Sequence, residues 1–456
     1  MAGQRISGSD FLLSSGPILF TGISQQGTIP SPISGRNPDT EEPPYLTSTP
    51  AEVAEVRFAV VIHATRSQET LTSAVLFKET ALEGSQQVAT ESTEHSTFTS
   101  TAHALDAEQL PESYFTWPGL LDRLGRREEL SESQTAWAMN EIMAGRASDV
   151  LISAFAFGLR VKGITAAELA AAAEAMRSFA TPVDFSGVDK IVDIVGTGGD
   201  GRNTVNISTM ASFVVAGTGT NVVKHGNRKA SSQCGGADML EALGVDIERS
   251  PEAVAEDLKE THFAFLFSKA YHPAMRFAGP VRSELKVPTV FNLLGPMTNP
   301  AKPGYGLIGC AFKDLMPIIG GAFAHQGSRV LVVRGMDGMD EISVCAPTDV
   351  VTVDANGQTG EEIINPRSLG LDFYEEDALR GGDAEYNAEI ARKLFRGELE
   401  GAIKDAVLLN AAAALATVEG WEEDGLQATL KRNIDRARQS LESGAALKKM
   451  EAMIAR

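Results

Sequence analysis

The sequence predicts an α/β protein: a small N-terminal helical bundle, then a larger domain with a mainly parallel central sheet flanked by helices. Three observations carry that reading. From Asp189 onward, short β-branched runs alternate with helical patterns, the order that lays parallel strands side by side with helices as crossovers. At Ile191–Gly217 a buried apolar run, a cluster of glycines and a helical pattern follow one another directly. From Tyr114 to Ala180 the apolar spacing is helical throughout.

At 456 residues the chain has room for about two to three domains and a large core. A composition of 43% hydrophobic and 22% charged residues is that of a soluble globular protein. The net charge of -20 argues against general binding of nucleic acid or a membrane surface, and it makes any local basic cluster stand out. Cys234, Cys310 and Cys345 have no metal-ligand or redox spacing, which suits a reducing cytoplasm. No apolar run approaches the roughly 20 residues of a membrane span. Ser14 to Pro17 break the run Phe11–Leu19, so no secretory signal is read there.

Taken in order, residues 1–113 read as a largely disordered extension, rich in Ser, Thr, Gly and Pro and then in Ser, Thr, Glu and Gln. Val56–Ala64 has a strand pattern and Ser67–Leu82 a helical one, without obvious partners. A solvated tail, a targeting segment and an extended translation start compete as its meaning, and the scarcity of Arg weakens a transit peptide. Residues 114–185 form the helical domain. Leu120, Leu121 and Leu124 make one apolar patch. Ser131 with Gln134 is a capping box before Trp137, Met139, Ile142 and Met143, and Gly145 stops that helix. Val150–Val161 is a third helix ending at Gly163, and Thr165 with Glu168 caps an Ala-rich fourth through Met176. Helices from about 273–300 are expected to join this domain.

Residues 186–456 are the α/β domain. Ile191–Val195 is a strand and Asn203–Gly217 a helix; Asn221–Val223 is a strand ending at Lys224. Ala237–Leu243 is a helix closed by Gly244, and Ser250 with Pro251 opens the next. Phe263–Phe267, Gly306–Cys310 and Val330–Val333 are strands. Val350–Asp354 leads into a hairpin turn at Asn356-Gly357. Tyr386–Phe395, Ile403–Val418 and Leu426–Ser443 are helices.

The chemistry concentrates around V-D-I-V-G-T-G-G-D-G at 192–201. Glycines between a strand and a helix let backbone N–H groups and a helix N-terminus face an anion, by default a phosphate. Gly196, Gly198 and Gly201 also fit G-x-G-x-x-G, but a Rossmann site wants an acid about 20 residues on. No Asp or Glu lies between Asp200 and Asp238; Arg202, Lys224, His225, Arg228 and Lys229 do. That favours a polyanion held by cations over a nicotinamide dinucleotide, and no G-K-[ST] makes a P-loop. The plainer reading is a tight turn with no ligand.

Lys224 to Arg228 place three potential cations beside a glycine hinge, a mobile anion clamp, with the hydroxyls of Ser231 and Ser232 just after it; the bland alternative is a solvated basic loop. Asn206, Ser208 and Thr209 offer oxygen and amide groups to a sugar, phosphate or hydrated cation, or simply cap the helix. Asp340-Glu341 follows a strand and the glycine-bearing loop 335–338. It suits Mg²⁺ bridging to substrate phosphates, or an exposed acidic turn. His272 and Arg282 flank a helix start, one a hydrogen-bond donor and the other a fork for a carboxylate, although a lone histidine is more often structural. Asn292–Pro296 reads as a rigid apolar wall. No nucleophile and base are paired, so the parts suit departure of an anionic leaving group through positioning and electrostatics.

Together, G-T-G-G-D-G at 196–201, N-I-S-T at 206–209, K-H-G-N-R at 224–228, H-P-A-M at 272–275, N-L-L-G-P at 292–296 and D-G-M-D-E at 337–341 resemble the anthranilate phosphoribosyltransferases, over about residues 114–456. The resemblance implies transfer of phosphoribose from 5-phosphoribosyl 1-diphosphate to anthranilate in tryptophan biosynthesis, with Mg²⁺, in a cytoplasmic homodimer joined through the helical domain. It implies diphosphate-substrate contacts from Gly196, Gly199, Asp200, Thr204, Asn206, Ser208, Thr209, Lys224 and Ser232. It gives the anthranilate path to Gly196, Asn227, His272, Arg282 and Gly295, with Arg282 facing the carboxylate, and the metal to Ser208, Asp340 and Glu341. It implies no covalent nucleophile and no general base. Lys229 to Gly236, Arg334 and Ser268-Lys269 depart from the family pattern. Pyrimidine nucleoside phosphorylases share the architecture but tend to K-H-S where this chain has K-H-G-N. A non-catalytic relative would lack part of the set.

Overall fold

A computed structural model describes residues 115–229 and 233–456. The extension 1–113, with its strand and helix patterns, and Ser231 and Ser232 lie outside the described residues.

Four helices come first: α1 (Trp117–Gly125), α2 (Glu132–Met143), α3 (Asp149–Lys162) and α4 (Ala166–Ser178). Both capping boxes form. Ser131 Oγ accepts from the Gln134 N–H at 3.1 Å while Gln134 Oε1 accepts from the Ser131 N–H at 3.1 Å. Thr165 and Glu168 do the same for α4. Glu168 also ties α4 to its surroundings, accepting from the Leu130 N–H and from Lys162 Nζ. That ion pair is buried, and each of its partners is hydrogen-bonded, the condition under which buried charge is tolerated.

The larger part runs β1 (Val192–Gly196), α5 (Ile207–Gly217), β2 (Val222–Gly226), α6 (Gly236–Leu243), α7 (Pro251–Thr261), β3 (Phe263–Phe267), α8 (Ser268–Tyr271), α9 (Gly279–Leu285), α10 (Val290–Leu293), β4 (Tyr305–Gly309), α11 (Met316–His325), β5 (Arg329–Gly335), β6 (Thr348–Val353), β7 (Thr359–Ile364), α12 (Ala384–Phe395), α13 (Ala402–Glu419), α14 (Leu426–Glu442) and α15 (Ala445–Ile454). The strands form one sheet in the order β3-β2-β1-β4-β5-β6-β7. Pairings from β3 to β5 are parallel; β6 and β7 add an antiparallel hairpin, turned where Asp354 Oδ1 accepts from the N–H groups of Asn356 and Gln358. Strand alternation sends Leu331 and Val333 into a core with α5, α13 and α14, and Val330 and Val332 into a second core with α11 and the four-helix bundle. Ala278, Val281, Val290 and Phe291, in and beside α9 and α10, also pack into that second core.

Several elements differ from the sequence reading, and α11 has no counterpart in it. The helix after the glycine turn starts at Ile207, because Asn203 has φ 52° and Thr204 bridges to Arg380 instead of coiling. β2 runs on through Lys224 and His225, which pair with Phe265 and Leu266. The last helix was not anticipated: Gly444, in the left-handed region, separates α14 from α15.

Candidate active site

β1 is followed in sequence by β2 on one side and flanked by β4 on the other, so the crossover directions diverge at its C-terminal end. In parallel sheets a crevice opens at such a point. Gly198, Gly199 and Gly201 turn the chain there with φ of 67°, 87° and 70°, a region that side chains resist. The turn closes around Asp340: the Gly198 N–H donates to Asp340 Oδ2 at 2.7 Å, and Asp200 Oδ2 accepts from the Asp340 N–H at 3.4 Å. Gly196 and Gly309, the last residues of β1 and β4, leave the space that Asp340 fills. A methyl on the first would overlap its carboxylate, and one on the second its carbonyl.

Beside it, Glu341 Oε1 accepts from the Ser208 N–H at 3.0 Å, so the N-terminus of α5 meets a carboxylate of its own chain. Asn206, at the N-cap position, makes no capping bond; its amide faces Cys234 and Asn387. Lys224 is buried, and its ammonium donates to the Ile194 carbonyl and to Ser208 Oγ. Burial raises the pKa of Asp340, and Asp200 raises it further. Glu341 is raised well above the carboxylate range by burial and then by Asp340. Burial lowers Lys224, against the pull of Asp193, Glu341 and Asp340. Asp193, buried under the same lysine, is pushed up to about 6 by burial.

These are groups in need of a cation. Among the described residues, no cluster of three or more His, Cys, Asp or Glu could hold a metal ion by itself. Ser208, Asp340 and Glu341 nevertheless offer a set of hard oxygen donors at one place. That set fits Mg²⁺, which takes one or two carboxylates and completes its shell with water and substrate phosphate oxygens.

The mobile clamp expected at 224–228 is corrected, because strand pairing fixes its first half. His225 is sandwiched: Nδ1 lies 3.0 Å from the Gly295 carbonyl, Nε2 lies 3.0 Å from Ser268 Oγ, and the ring packs 5.0 Å from that of His272. Burial lowers His225 to about 3 and His272 to about 4, so both imidazoles are neutral at physiological pH. Arg228 turns its guanidinium to Glu241 and Asp238. Of the three potential cations, Lys224 is the one directed at the site.

A cavity of about 270 Å³ gathers Gly196, Gly199, Asp200, Thr204, Asn206, Ser208, Thr209, Lys224, Asn227, Asp340 and Glu341 in its wall. His272, Gly295 and Arg282 lie outside that wall, the first two linked to it through His225. His272 Nε2 is buried without a partner among the described residues. Arg282 sits half-buried on α9, with its pKa lowered by burial and no hydrogen bond from its guanidinium among the described residues.

Residue-level reasoning missed three asparagines, Asn410 in the wall itself and Asn299 and Asn387 behind it. Asn299 Nδ2 donates to Asp193 Oδ2 and to the Val223 carbonyl, each at 2.9 Å. Asn410 clamps the backbone next to Glu341, accepting from the Ile342 N–H at 3.0 Å and donating to its carbonyl at 2.8 Å. Asn387 reaches Asn206. The available signal was a polar residue within an apolar helix, plain for Asn410 in L-L-N-A-A.

Residues 118–180 match the helical bundle domain of a glycosyl transferase family, and residues 188–447 match its a/b domain. The anthranilate phosphoribosyltransferase of Corynebacterium jeikeium is 73% identical over 350 residues, 77% of this chain and 95% of that one. A solved anthranilate phosphoribosyltransferase from Thermus thermophilus superimposes with a TM-score of 0.68 at 40% identity, covering 74% of this chain and 98% of that one. One from Saccharomyces cerevisiae, in complex with PRPP and Mg, gives a TM-score of 0.68 at 28% identity, covering 76% and 98%. With its fold, its glycine turn and its buried acidic pair all in place, the chain belongs to the anthranilate phosphoribosyltransferase family.

Proposed function

We propose that the chain transfers the phosphoribosyl group of 5-phosphoribosyl 1-diphosphate to the amine of anthranilate, releasing pyrophosphate, as a step of tryptophan biosynthesis. The observation that carries this is the convergence of glycine turn, α5 N-terminus, Lys224 and Asp340-Glu341 on one cavity at the strand ends. Such a site is made for a diphosphate, with little room for other chemistry. Backbone N–H groups of the glycine turn, Asn206, Thr209 and Lys224 hold the substrate's phosphates, and Thr204 and Asp200 border it. Ser208, Asp340 and Glu341 hold Mg²⁺, whose charge, when bound, offsets that of the departing diphosphate.

The anthranilate nitrogen attacks C1 of the ribose as the C1–O bond to the diphosphate breaks, and the nitrogen then gives up one proton to water or to the released diphosphate. The arylamine is already neutral at physiological pH, so its lone pair is free without a general base. The neutral imidazoles of His225 and His272 agree with that, since neither adds a cation to compete for the carboxylate. Asn227, Gly196, Gly295 and His272 border the anthranilate path, and Arg282 receives its carboxylate. Catalysis is then positioning and electrostatics.

Loss of anthranilate fluorescence that requires protein, Mg²⁺ and 5-phosphoribosyl 1-diphosphate together is the expected result. Phosphorolysis of thymidine or uridine in its place would transfer the chain to the phosphorylase reading. In the same assay, Arg282→Ala is expected to raise the KM for anthranilate roughly 10- to 100-fold, the worth of one charge-assisted hydrogen-bonded pair. The KM for the diphosphate substrate should stay within twofold. Equal rises in both would remove Arg282 from the carboxylate.

We further propose a homodimer joined through the helical domain. α3 carries an apolar stripe to solvent, with Val150, Phe157 and Val161 exposed by 77%, 47% and 51% at helical spacing. A sedimenting mass of one chain would refute it. No helix of the described residues is long and apolar enough to cross a membrane. Three cysteines without redox or metal-ligand spacing support a cytoplasmic place, which cell fractionation checks.

A further inference from the structure

The segment from the short helical turn Glu376–Leu379 to the first turn of α12 lies along the loop that leads from the glycine turn into α5. The Val205 N–H donates to the Leu379 carbonyl at 3.0 Å, the Gly381 N–H donates to the Asn203 carbonyl at 2.8 Å, and Thr204 bridges to Arg380. This two-stranded seam ends at a side chain. Asn387, only 1% exposed, accepts from the Gly382 N–H at Oδ1 (2.9 Å) and donates from Nδ2 to Asn206 Oδ1 (2.8 Å). Asn206 Oδ1 also accepts from the Cys234 thiol at 3.3 Å, while Asn206 Nδ2 donates to the Cys234 carbonyl at 3.2 Å.

The polarity of this chain of bonds is fixed from one end. A backbone N–H can only donate, so the Gly382 N–H selects the oxygen of Asn387. The NH₂ of Asn387 must then be its other end, and it selects the oxygen of Asn206. A flipped Asn206 would set two NH₂ groups against each other in a buried place, where an unmade hydrogen bond is costly. The NH₂ of Asn206 has two hydrogens; the Cys234 carbonyl takes one, and Asn206 lines the cavity.

We propose that Asn387 is a positioning residue for the diphosphate substrate, holding the Asn206 amide so that it presents a donor to the cavity. It rests on the reading of Asn206 as a substrate contact. The device spans just over half of the described chain, from the N-cap of α5 to α12.

Asn387→Asp tests it with little change of shape. The carboxylate still accepts from the Gly382 N–H but no longer donates to Asn206, whose amide turns and shows its carbonyl to the substrate. Affinity for 5-phosphoribosyl 1-diphosphate, titrated calorimetrically with Mg²⁺ and without anthranilate, is expected to fall about tenfold or more. The KM for anthranilate should barely move, while the Tm falls, because a buried hydrogen bond is lost. Asn387→Leu, uncharged and of similar volume, should show the same pattern. The deciding comparison is a double-mutant cycle. In an Asn206→Ala background, either change at 387 should alter affinity less than twofold, since there is no amide left to orient. A full tenfold loss in that background would overturn the role of Asn387 and leave Asn206 as a contact. An Asn206→Ala protein with parental affinity would instead remove the reading of Asn206, and the proposal with it.

Discussion

Asp340→Asn combined with Glu341→Gln is expected to lower kcat by about 10³-fold at saturating Mg²⁺, the scale of losing preorganised charge stabilisation at a departing group. The amide oxygens can still accept from the Gly198 and Ser208 N–H groups, so the glycine turn and the start of α5 keep their partners. Stability should not fall. The exchange removes two buried carboxyl groups that burial already pushes toward protonation, Asp200 adding to the rise at Asp340 and Asp340 to that at Glu341. A Tm at or above that of the parent, with turnover nearly abolished, separates a metal-binding role from a structural one. Turnover within threefold of the parent across a Mg²⁺ titration would make the acidic pair a mere turn.

Lys224→Met carries the second large effect, and it acts on binding and stability together. The ammonium interacts electrostatically with Asp193, Glu341 and Asp340. Without it the affinity for the diphosphate substrate should fall about 10²-fold, as for a lost charge-assisted contact in a buried site. Breaking a buried charge pair typically costs about 3–5 kcal/mol, but Asp193 can relieve part of this by taking up a proton. Its folded pKa is already about 6, above the ordinary 3.8, so the folded form binds the extra proton more readily than the unfolded chain. Stability from that proton is present below the ordinary pKa and is lost as pH rises through the folded one. Losing the lysine moves the folded value higher still. Denaturant titrations of the variant should therefore show a larger deficit at alkaline pH than in mild acid. A deficit independent of pH would mean that Asp193 does not feel the lysine.

What could be read from the chain follows from how local each feature is. The glycine turn was legible because the strand, the glycines and the helix that use it are contiguous, and the acidic pair because its two residues are adjacent. Capping boxes are four-residue patterns, and both formed where the pattern lay. Lys224 and His225 were misplaced because Lys-His-Gly has no strand signature. Their conformation comes from pairing with Phe265 and Leu266, some forty residues on. That same pairing buries His225 and strips it of its charge. Arg228 looked like a ligand for phosphate, but Glu241, one helix later, claims its guanidinium. Asn387 and Asn410 act on segments 181 and 68 residues away, and spacing within a helix says nothing about what the helix will face.

Gly196 and Gly309 leave one more consequence. Neither has a positive φ, and their strands would pair as well with alanine at both places. The intolerance to a methyl there comes from Asp340 alone. The end of β1 is thus constrained by the carboxylate that serves the reaction, and the end of β4 by the backbone that carries it. A descendant that abandoned the acidic pair would free the end of β1 to drift while the end of β4 stayed glycine, so that loss of this chemistry would be written at the pair and at position 196 of a sheet that still folds.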